Sequence, residues 1–337
     1  MAVGAGDVAK NRRRCTLPHH GPPPTVWAFR HEPVSPAPLA AARRQPRAMS
    51  DLPDLGVPLR SRFVDGDGVR LHVVEAGPED GPLVLLLHGF PEFWLGWQHQ
   101  IPALVAAGYR VWAPDQRGYN RSDAPPDVAA YAPDRLVDDV HALLDSAGVE
   151  RARVVAHDWG AVVAWWLAMQ APERVERLAI LNVPHPVAFQ RFLRRPSVQW
   201  LKSWYMAFFQ LPWFPERALH RFGTRALRST SAPGTFSDAD LDRYREAWAR
   251  PGVAHGMISW YRALPRYPPR RADGGTTVTP PTLILWGDAD AALDARLAEL
   301  SLARCADGRL QVLPGVSHWV QHEAPEAVNA ALLDFLA

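Results

Sequence analysis

The clearest potential for chemistry lies around Asp158, within residues 153–169. An apolar strand ending at Ala156 and an apolar helix starting at Ala161 predict a sharp strand–turn–helix connection between them. In such a turn, small residues two positions before and after the central residue let strand and helix pass closely, and the central side chain projects. Ala156 and Gly160 are those small residues, so Asp158 is predicted to be a carboxylate nucleophile. The alternative is that Asp158 merely caps the helix, and the turn alone does not decide between the two.

Two further residues favour the catalytic interpretation. Asp290 and His318 each follow a predicted strand, and the chain order Asp158, Asp290, His318 is that of a nucleophile, an acid and a histidine. A lone aspartate after a strand, or a lone histidine near a C-terminus, is more often structural. All three together, in this order and with this turn, predict a catalytic triad.

The elements that must position this triad alternate between strands and helices. Because such alternation builds a parallel sheet covered on both faces, we predict an α/β fold with a mostly parallel sheet. The first two strands form a hairpin around residues 65–68, and Pro102 is expected to break or restart the first helix. Strands are predicted at 60–64, 69–75, 83–87, 109–113, 153–156, 175–181, 282–286 and 310–313, and helices at 94–107, 133–146, 161–169, 295–303 and 325–336.

The sheet pattern is interrupted once, by a helical and strongly aromatic stretch at 187–277. Aromatics at helical spacing most often form a packed core. An insertion at this point can also cover the carboxyl ends of the strands, where Asp158 would project. We therefore predict a disordered Arg/Pro-rich tail at 1–48, a core in two parts at 49–186 and 278–337, and a helical cap at 187–277 inserted after the sixth strand.

Composition and charge exclude several classes of function. The 337-residue chain is 47% hydrophobic, but no apolar run reaches the roughly 18 to 20 residues that span a bilayer, so no membrane partner is expected. The basic excess lies in the tail and not on a folded face, which argues against nucleic-acid binding. Cys15 and Cys305 support neither a disulfide framework nor a metal site, and they favour a reducing compartment, so we predict a cytoplasmic protein.

Six motifs give the chain, from about residue 59 to its end, a specific resemblance to the epoxide hydrolases of the α/β-hydrolase fold. They are His88-Gly89-Phe90-Pro91, Asp115-x-Arg117-Gly118, His157-Asp158-Trp159-Gly160, Asn182-x-Pro184-His185-Pro186, Gly287-Asp288-Ala289-Asp290 and Gly315-x-x-His318-Trp319. The resemblance implies that the backbone amides of Phe90 and Trp159 form an oxyanion hole. It also assigns an acid role to two tyrosines of the cap, which match Tyr205 and Tyr261.

The chemistry of an epoxide suits these residue types. A carboxylate can open the strained ring by displacement without first losing a proton, and phenols can protonate the leaving oxygen. His318, oriented by Asp290, would then activate water to hydrolyse the resulting ester on Asp158. Neither a metal nor an organic cofactor is required, and the expected partners are a small apolar epoxide and water. We predict a pocket lined by Phe90, Trp159, Trp204, Phe208, Trp260 and Trp319.

The nearest alternative is a haloalkane dehalogenase, which resembles this chain in fold and in its Asp-Trp turn. A halide leaves without a proton, so that reaction has no use for the two tyrosines. Many dehalogenases also carry Asn after the His-Gly pair, where this chain has Phe90. A serine esterase is excluded by Asp158, and a catalytically dead binding module is hard to reconcile with a complete triad.

Overall fold

The computed structural model describes residues 52–194, 197–270 and 275–337. The tail predicted at 1–48, with Cys15, lies outside the described residues. Among the described residues, no helix is long and apolar enough to cross a bilayer, and no group of three or more His, Cys, Asp or Glu side chains could hold a metal ion.

One eight-stranded sheet forms the centre of the fold, in the order β1-β2-β4-β3-β5-β6-β7-β8. The first two strands form the predicted antiparallel hairpin, β2 also pairs antiparallel with β4, and every other pair is parallel. The mostly parallel sheet predicted from the sequence is thereby confirmed. The strands are β1 (Leu59–Asp65), β2 (Arg70–Ala76), β3 (Leu83–Leu87), β4 (Arg110–Pro114), β5 (Ala152–His157), β6 (Val175–Leu181), β7 (Thr282–Gly287) and β8 (Gly308–Leu313).

The central strands are apolar along their whole length because helices cover the sheet. All five residues of β3 and all six of β7 are buried, as expected for parallel strands with both faces covered. The helices outside the insertion are α1 (Gln100–Ala106), α2 (Pro133–Ala147), α3 (Asp158–Gln170), α10 (Arg296–Leu302), α11 (Val320–Glu323) and α12 (Pro325–Leu336).

The described residues between β6 and β7 form six further helices, where the sequence predicts a helical stretch. They are α4 (Pro186–Leu193), α5 (Val198–Lys202), α6 (Trp204–Phe208), α7 (Phe214–Thr230), α8 (Asp238–Trp248) and α9 (Val253–Arg266). We call residues 186–266 the helical insertion. Its inner surface is apolar and includes Leu219, Leu227, Trp248 and Met257, all of which are buried.

The interruption expected at Pro102 lies earlier in the chain. A short 3-10 helix covers Trp94–Trp97, and α1 starts at Gln100 and contains Pro102 as its third residue. The first four N–H groups of a helix have no partner within it, so a proline there removes no hydrogen bond. Pro102 therefore does not break α1; it lies in the first turn of a helix that restarts after Trp97, in agreement with the restart that the sequence predicts.

Candidate active site

The turn between β5 and α3 has the geometry that a projecting nucleophile requires. Asp158 adopts a positive φ of 47°, which is rare for a residue with a Cβ. A Cβ on Gly160 would overlap the carbonyls of Leu87 and His88, and one on Gly89 would overlap the Asp158 side chain. Both glycines are therefore needed for this close approach.

The carboxylate of Asp158 faces the loop after β3 and does not cap its own helix. Its Oδ1 accepts a 2.6 Å hydrogen bond from the backbone N–H of Phe90, and α3 has no side-chain cap. Phe90 precedes a proline in the cis form. The structure thus favours the nucleophile interpretation over the capping interpretation, and it directs the Phe90 amide at a carboxylate oxygen, as an oxyanion hole requires.

His318 and Asp290 meet Asp158, as their chain order predicts. The Nδ1 of His318 is 2.7 Å from Asp290 Oδ2, and its Nε2 is 3.5 Å from Asp158 Oδ2. Burial lowers the pKa of His318, but the two carboxylates outweigh burial and raise it to about 10. The imidazole is therefore held in one orientation, with one nitrogen toward each carboxylate.

Asp290 is buried and is held by more than the histidine. Its Oδ1 accepts hydrogen bonds from the backbone N–H groups of Ala292 and Leu293, at 2.7 and 2.9 Å. Asn182 donates to Oδ2 at 2.8 Å. Burial raises the pKa of Asp290, but His318 and these hydrogen bonds lower it overall, so Asp290 is ionised at neutral pH.

Asn182 belongs to one of the six motifs, and its side chain helps to position Asp290. It adopts a positive φ of 50° directly after β6. Its side-chain amide donates to Asp290, and its Oδ1 accepts from the N–H of Gly287 at 2.7 Å. The asparagine therefore connects the ends of β6 and β7. Asn tolerates this backbone conformation better than most residues, which is the signal that could have identified it from the sequence.

Tyr205 and Tyr261 come from two helices of the insertion, α6 and α9, and both line the cavity that contains Asp158. Their ring centroids are 6.0 Å apart, and the Tyr261 ring lies edge-on to Trp159 at 4.8 Å. Burial raises the pKa of both phenols, and the negative charge of Asp158 raises it further. Both hydroxyls therefore hold their protons near Asp158 at neutral pH.

Polar side chains of the insertion fix the two helices relative to each other. Gln210 donates to the carbonyls of Met206 and Tyr261, at 3.2 and 2.8 Å. Arg262 makes two contacts with the carboxylate of Glu216 and also donates to the carbonyl of Phe209. These contacts connect the segment after Tyr205 to the helix that carries Tyr261, so the tyrosine pair has a defined separation.

The cavity above Asp158 has a volume of about 140 Å³ and a mostly apolar wall. One of the six predicted pocket residues, Trp159, forms part of this wall. Trp204 is not in the wall because its side chain points outward and is 66% exposed. The wall is formed by Asp158, Trp159, Val162, Trp166, Val183, Pro184, Pro186, Phe189, Gln190, Tyr205, Met206, Tyr261, Leu264, Pro269 and Leu293.

The other predicted pocket residues also lie outside the cavity wall, although near it. Trp260 is buried and donates its indole N–H to the carbonyl of Arg117 at 2.9 Å. Trp319 is buried against His318 and donates to Thr230. Phe208 is half-buried between Trp204 and Phe209, and Phe90 packs its ring on Phe209 and Tyr261. These four residues do not line the cavity, and their contact with substrate stays a prediction.

Comparisons with known proteins agree with this geometry. A family profile described as alpha/beta hydrolase fold matches residues 82–325. An AB hydrolase superfamily protein, YfhM of Bacillus subtilis, is 44% identical over 282 residues, which are 82% of this chain and 98% of that protein. Epoxide hydrolase A of Mycobacterium tuberculosis is 38% identical over 322 residues, 84% of this chain and 98% of that protein. The chain belongs to the epoxide hydrolases of the α/β-hydrolase fold. It is a hydrolase.

Solved structures of the family include a close relative with a product bound. A mutant of an epoxide hydrolase from Bacillus megaterium, complexed with its product (R)-3-[1]naphthyloxy-propane-1,2-diol, has a TM-score of 0.74 and 30% identity to this chain. The match covers 82% of this chain and 99% of that one. The resemblance stated from the motifs is thereby confirmed.

The sequence did not predict a role for Glu92, whose carboxylate is buried behind the Asp158 site of this chain. Glu92 follows the loop that carries Phe90, and its side chain is 1% exposed. Its Oε1 accepts from Tyr244 of α8 at 2.8 Å and lies 2.7 Å from His322 Nε2. Burial raises the pKa of Glu92, but the two neighbouring histidines, His322 and His157, outweigh burial and hold it well below its usual range.

This carboxylate also reaches the triad. Glu92 Oε2 accepts from Gln321 at 3.0 Å and is 3.3 Å from His157 Nδ1, and the other nitrogen of His157 is 2.9 Å from the carbonyl of His318. The contacts from Glu92 through His157 to His318 therefore fix the backbone next to the imidazole of His318. The one signal in the sequence was an acid in an apolar segment beside the predicted oxyanion loop.

Proposed function

We propose that the protein hydrolyses an epoxide to a vicinal diol through a covalent ester on Asp158. The observation that carries the proposal is that one apolar cavity is lined by the carboxylate of Asp158 and by the phenols of Tyr205 and Tyr261. A carboxylate supplies the nucleophile, and protonated phenols supply what the leaving oxygen needs. The names of the relatives, several of which are epoxide hydrolases, support the same substrate class.

In the first step, an oxygen of Asp158 attacks one carbon of the epoxide. The carbon–oxygen bond of the ring breaks, and its electron pair moves to the epoxide oxygen. That oxygen takes a proton from Tyr205 or Tyr261, so the products are a hydroxyalkyl ester and a tyrosinate. Because the pKa of Asp158 is lowered by His318 and by the Phe90 amide in spite of burial, the attacking oxygen is ionised before substrate arrives.

Once Asp158 is an ester, the imidazolium of His318 passes its proton to the tyrosinate and becomes a neutral base. In the second step, His318 takes a proton from water as the water oxygen attacks the carbonyl carbon of the ester. The amides of Phe90 and Trp159 hold the oxyanion that forms. The acyl–oxygen bond breaks, and the departing alkoxide takes the proton from His318 to complete the diol. The newly formed carboxylic acid on Asp158 gives its proton to His318, so the imidazolium, the carboxylate and both phenols regain their starting states.

This route makes a specific prediction about oxygen. Water attacks the carbonyl of the ester, so a single turnover in ¹⁸O-labelled water places the label in Asp158, and the first diol formed is unlabelled. Peptide mass spectrometry of the segment that contains Asp158 measures this. A labelled diol and an unlabelled Asp158 would instead show direct attack of water on the epoxide.

The alternative is haloalkane dehalogenation with the same Asp158. An assay of the products distinguishes the two activities, because an epoxide yields a diol whereas a haloalkane yields a halide ion and an alcohol. The apolar cavity fits a small apolar epoxide. The aryl diol bound to the relative from Bacillus megaterium favours testing aryl glycidyl ethers first.

A further inference from the structure

The outer surface of the helical insertion exposes an unusual number of apolar side chains. The described residues include twelve exposed large apolar residues, and eight of them lie within 198–222. Single exposed apolar residues are ordinary, but such a concentration in one short segment indicates a contact surface. The eight are Val198, Trp200, Leu201, Trp204, Leu211, Trp213, Phe214 and Phe222, and we call them the aromatic set.

Helix α7 adds positive charge beside the aromatic set. Its arginines follow a spacing of four, four and three residues, which places them along one side of the helix, and all four are exposed. The side that faces the protein contains buried Leu219 and Leu227. We call the exposed arginines the arginine row; they are Arg217, Arg221, Arg225 and Arg228.

Little negative charge compensates the arginine row. The one acid of α7, Glu216, is paired with Arg262 of α9, at 2.6 Å, and its side chain is 18% exposed. Arg228 contacts Asp238 of the next helix, and the guanidinium of Arg217 lies over the ring of Trp213 at 5.2 Å. The surface therefore presents aromatic rings and guanidinium groups side by side.

This combination is chemically specific. Tryptophan and phenylalanine rings beside arginines suit the boundary between lipid headgroups and acyl chains, where rings are buried and guanidinium groups meet phosphates. Two copies of the surface would bring two arginine rows together, which opposes self-association. An anionic partner neutralises them.

The position of the aromatic set relative to the cavity also favours a lipid surface. In helix α6, Trp204 is 66% exposed, whereas the next two residues, Tyr205 and Met206, line the cavity. Helix α6 thus separates the cavity from Trp204 of the aromatic set. Small apolar molecules concentrate in bilayers, so this placement would bring the cavity close to a reservoir of them.

We propose that the aromatic set and the arginine row dock the protein peripherally on an anionic phospholipid bilayer. The proposal replaces the sequence-based expectation of no membrane partner, and it needs no spanning helix. It also does not depend on epoxide chemistry, because the contact is made by side chains outside the cavity.

The test is flotation of the full-length protein with vesicles of phosphatidylcholine containing phosphatidylglycerol, compared with vesicles of phosphatidylcholine alone. We expect at least about tenfold stronger binding to the anionic vesicles, and loss of that difference in about 1 M NaCl, where charges are screened beyond about 3 Å. An aromatic variant and an arginine variant should each weaken binding about tenfold or more. The aromatic variant combines Leu201→Ser, Phe214→Ser and Phe222→Ser. The arginine variant combines Arg217→Gln, Arg221→Gln and Arg225→Gln.

The control variants change the same number of exposed apolar residues or arginines elsewhere on the chain. They are Phe63→Ser with Leu300→Ser and Val312→Ser, which are 43 to 45% exposed, and Arg60→Gln with Arg270→Gln and Arg309→Gln. Both should bind like the wild type, and all variants should keep the wild-type thermal midpoint and activity on a water-soluble epoxide.

Three results would overturn the proposal. Equal vesicle binding by the wild type and both variants would place the lipid contact elsewhere, for example on the basic residues of 1–48. Dimerisation that the aromatic variant abolishes, without vesicle binding, would assign the surface to a second copy. Binding to poly-glutamate but not to anionic vesicles would assign it to an acidic protein.

Discussion

The imidazole of His318 is shared by two carboxylates, with Nε2 3.5 Å from Asp158 and Nδ1 2.7 Å from Asp290. Together they raise its pKa to about 10 in spite of burial, so the resting imidazole carries a proton at neutral pH and cannot accept another. Conversion of Asp158 to an ester removes one of the two negative charges. In the proposed mechanism, the pKa of His318 should therefore fall when the ester forms, which is when His318 must act as a base toward water.

The variant Asp158→Asn imitates the loss of charge in the ester. We expect the pKa of His318 in this variant to lie below the value of about 10 in the wild type, because only Asp290 remains to favour the charged form. Nitrogen-15 NMR of the imidazole, followed against pH, measures it. Asp334→Asn, which changes an acid with an 81% exposed side chain, should leave it unchanged. An unaltered pKa in Asp158→Asn would contradict the proposed coupling.

The sign of the stability effect follows from the same pKa. A group whose pKa is raised on folding stabilises the native state fully below its ordinary value of 6.5, and this contribution is lost as the pH rises through about 10. The free energy of unfolding of the wild type should therefore decline over this range. Asp158→Asn should show a weaker decline in urea titrations at several pH values.

The variant His318→Gln should separate the two chemical steps. It keeps Asp158 and both tyrosines, so the epoxide still opens, but it lacks the base that activates water. We expect the ester to accumulate, and intact-mass spectrometry should show the protein heavier by the mass of one substrate molecule. His220→Gln changes an exposed histidine of α7 and should turn over normally. A protein that stays unmodified with a substrate of the wild type would argue against the ester.

The tyrosine pair should behave as one acid site. Tyr205→Phe and Tyr261→Phe each keep the ring and remove one hydroxyl, and the remaining hydroxyl still serves the leaving oxygen. Each change should slow ring opening by about ten- to a thousand-fold, and the double variant should abolish it. Single-turnover kinetics of ester formation measures this, with Tyr267→Phe, 40% exposed, as the control. Ester formation at the wild-type rate in the double variant would show that the phenols only pack the insertion.

The connection made by Asn182 can be tested with Asn182→Ala. The change leaves Asp290 without one donor and Gly287 without its acceptor, so we expect a loss of about 1 to 3 kcal/mol of stability. Hydrolysis of the ester should slow more than its formation, because only the second step needs an oriented His318. The control is Asn329→Ala, which removes an asparagine that donates to the backbone carbonyl of His99. This variant should keep the wild-type rates of ester formation and ester hydrolysis. Equal slowing of both steps would indicate general distortion.

That Asp158, Asp290 and His318 meet could be predicted because the signals are local. The crowding around Asp158 is encoded by the small residues near it, and Asp290 and His318 each follow a strand that the sequence shows. The sequence could not show which aromatic side chains of the insertion line the cavity and which are exposed. Helix α6 has five residues, and adjacent side chains on a helix differ in direction by about 100°, so Tyr205 lines the cavity while Trp204 is exposed.

The contacts of Glu92 could not be read from the sequence for a different reason. Its partners Tyr244 and His322 are 152 and 230 residues away along the chain. Nothing in the local sequence of any of the three indicates that they meet. Such contacts follow from the assembled fold, and the sequence around Glu92 shows only an acid in apolar surroundings.

The position of Glu92 also determines how the molecule should come apart. Its carboxylate joins α8 of the insertion, the loop beside Phe90 and the segment after His318, and its side chain is 1% exposed. Opening the insertion by itself would leave this charge buried and short of donors, which is costly. The insertion and the sheet should therefore melt as one cooperative unit, and the amide protons of α8 should exchange as slowly as those of the central strands.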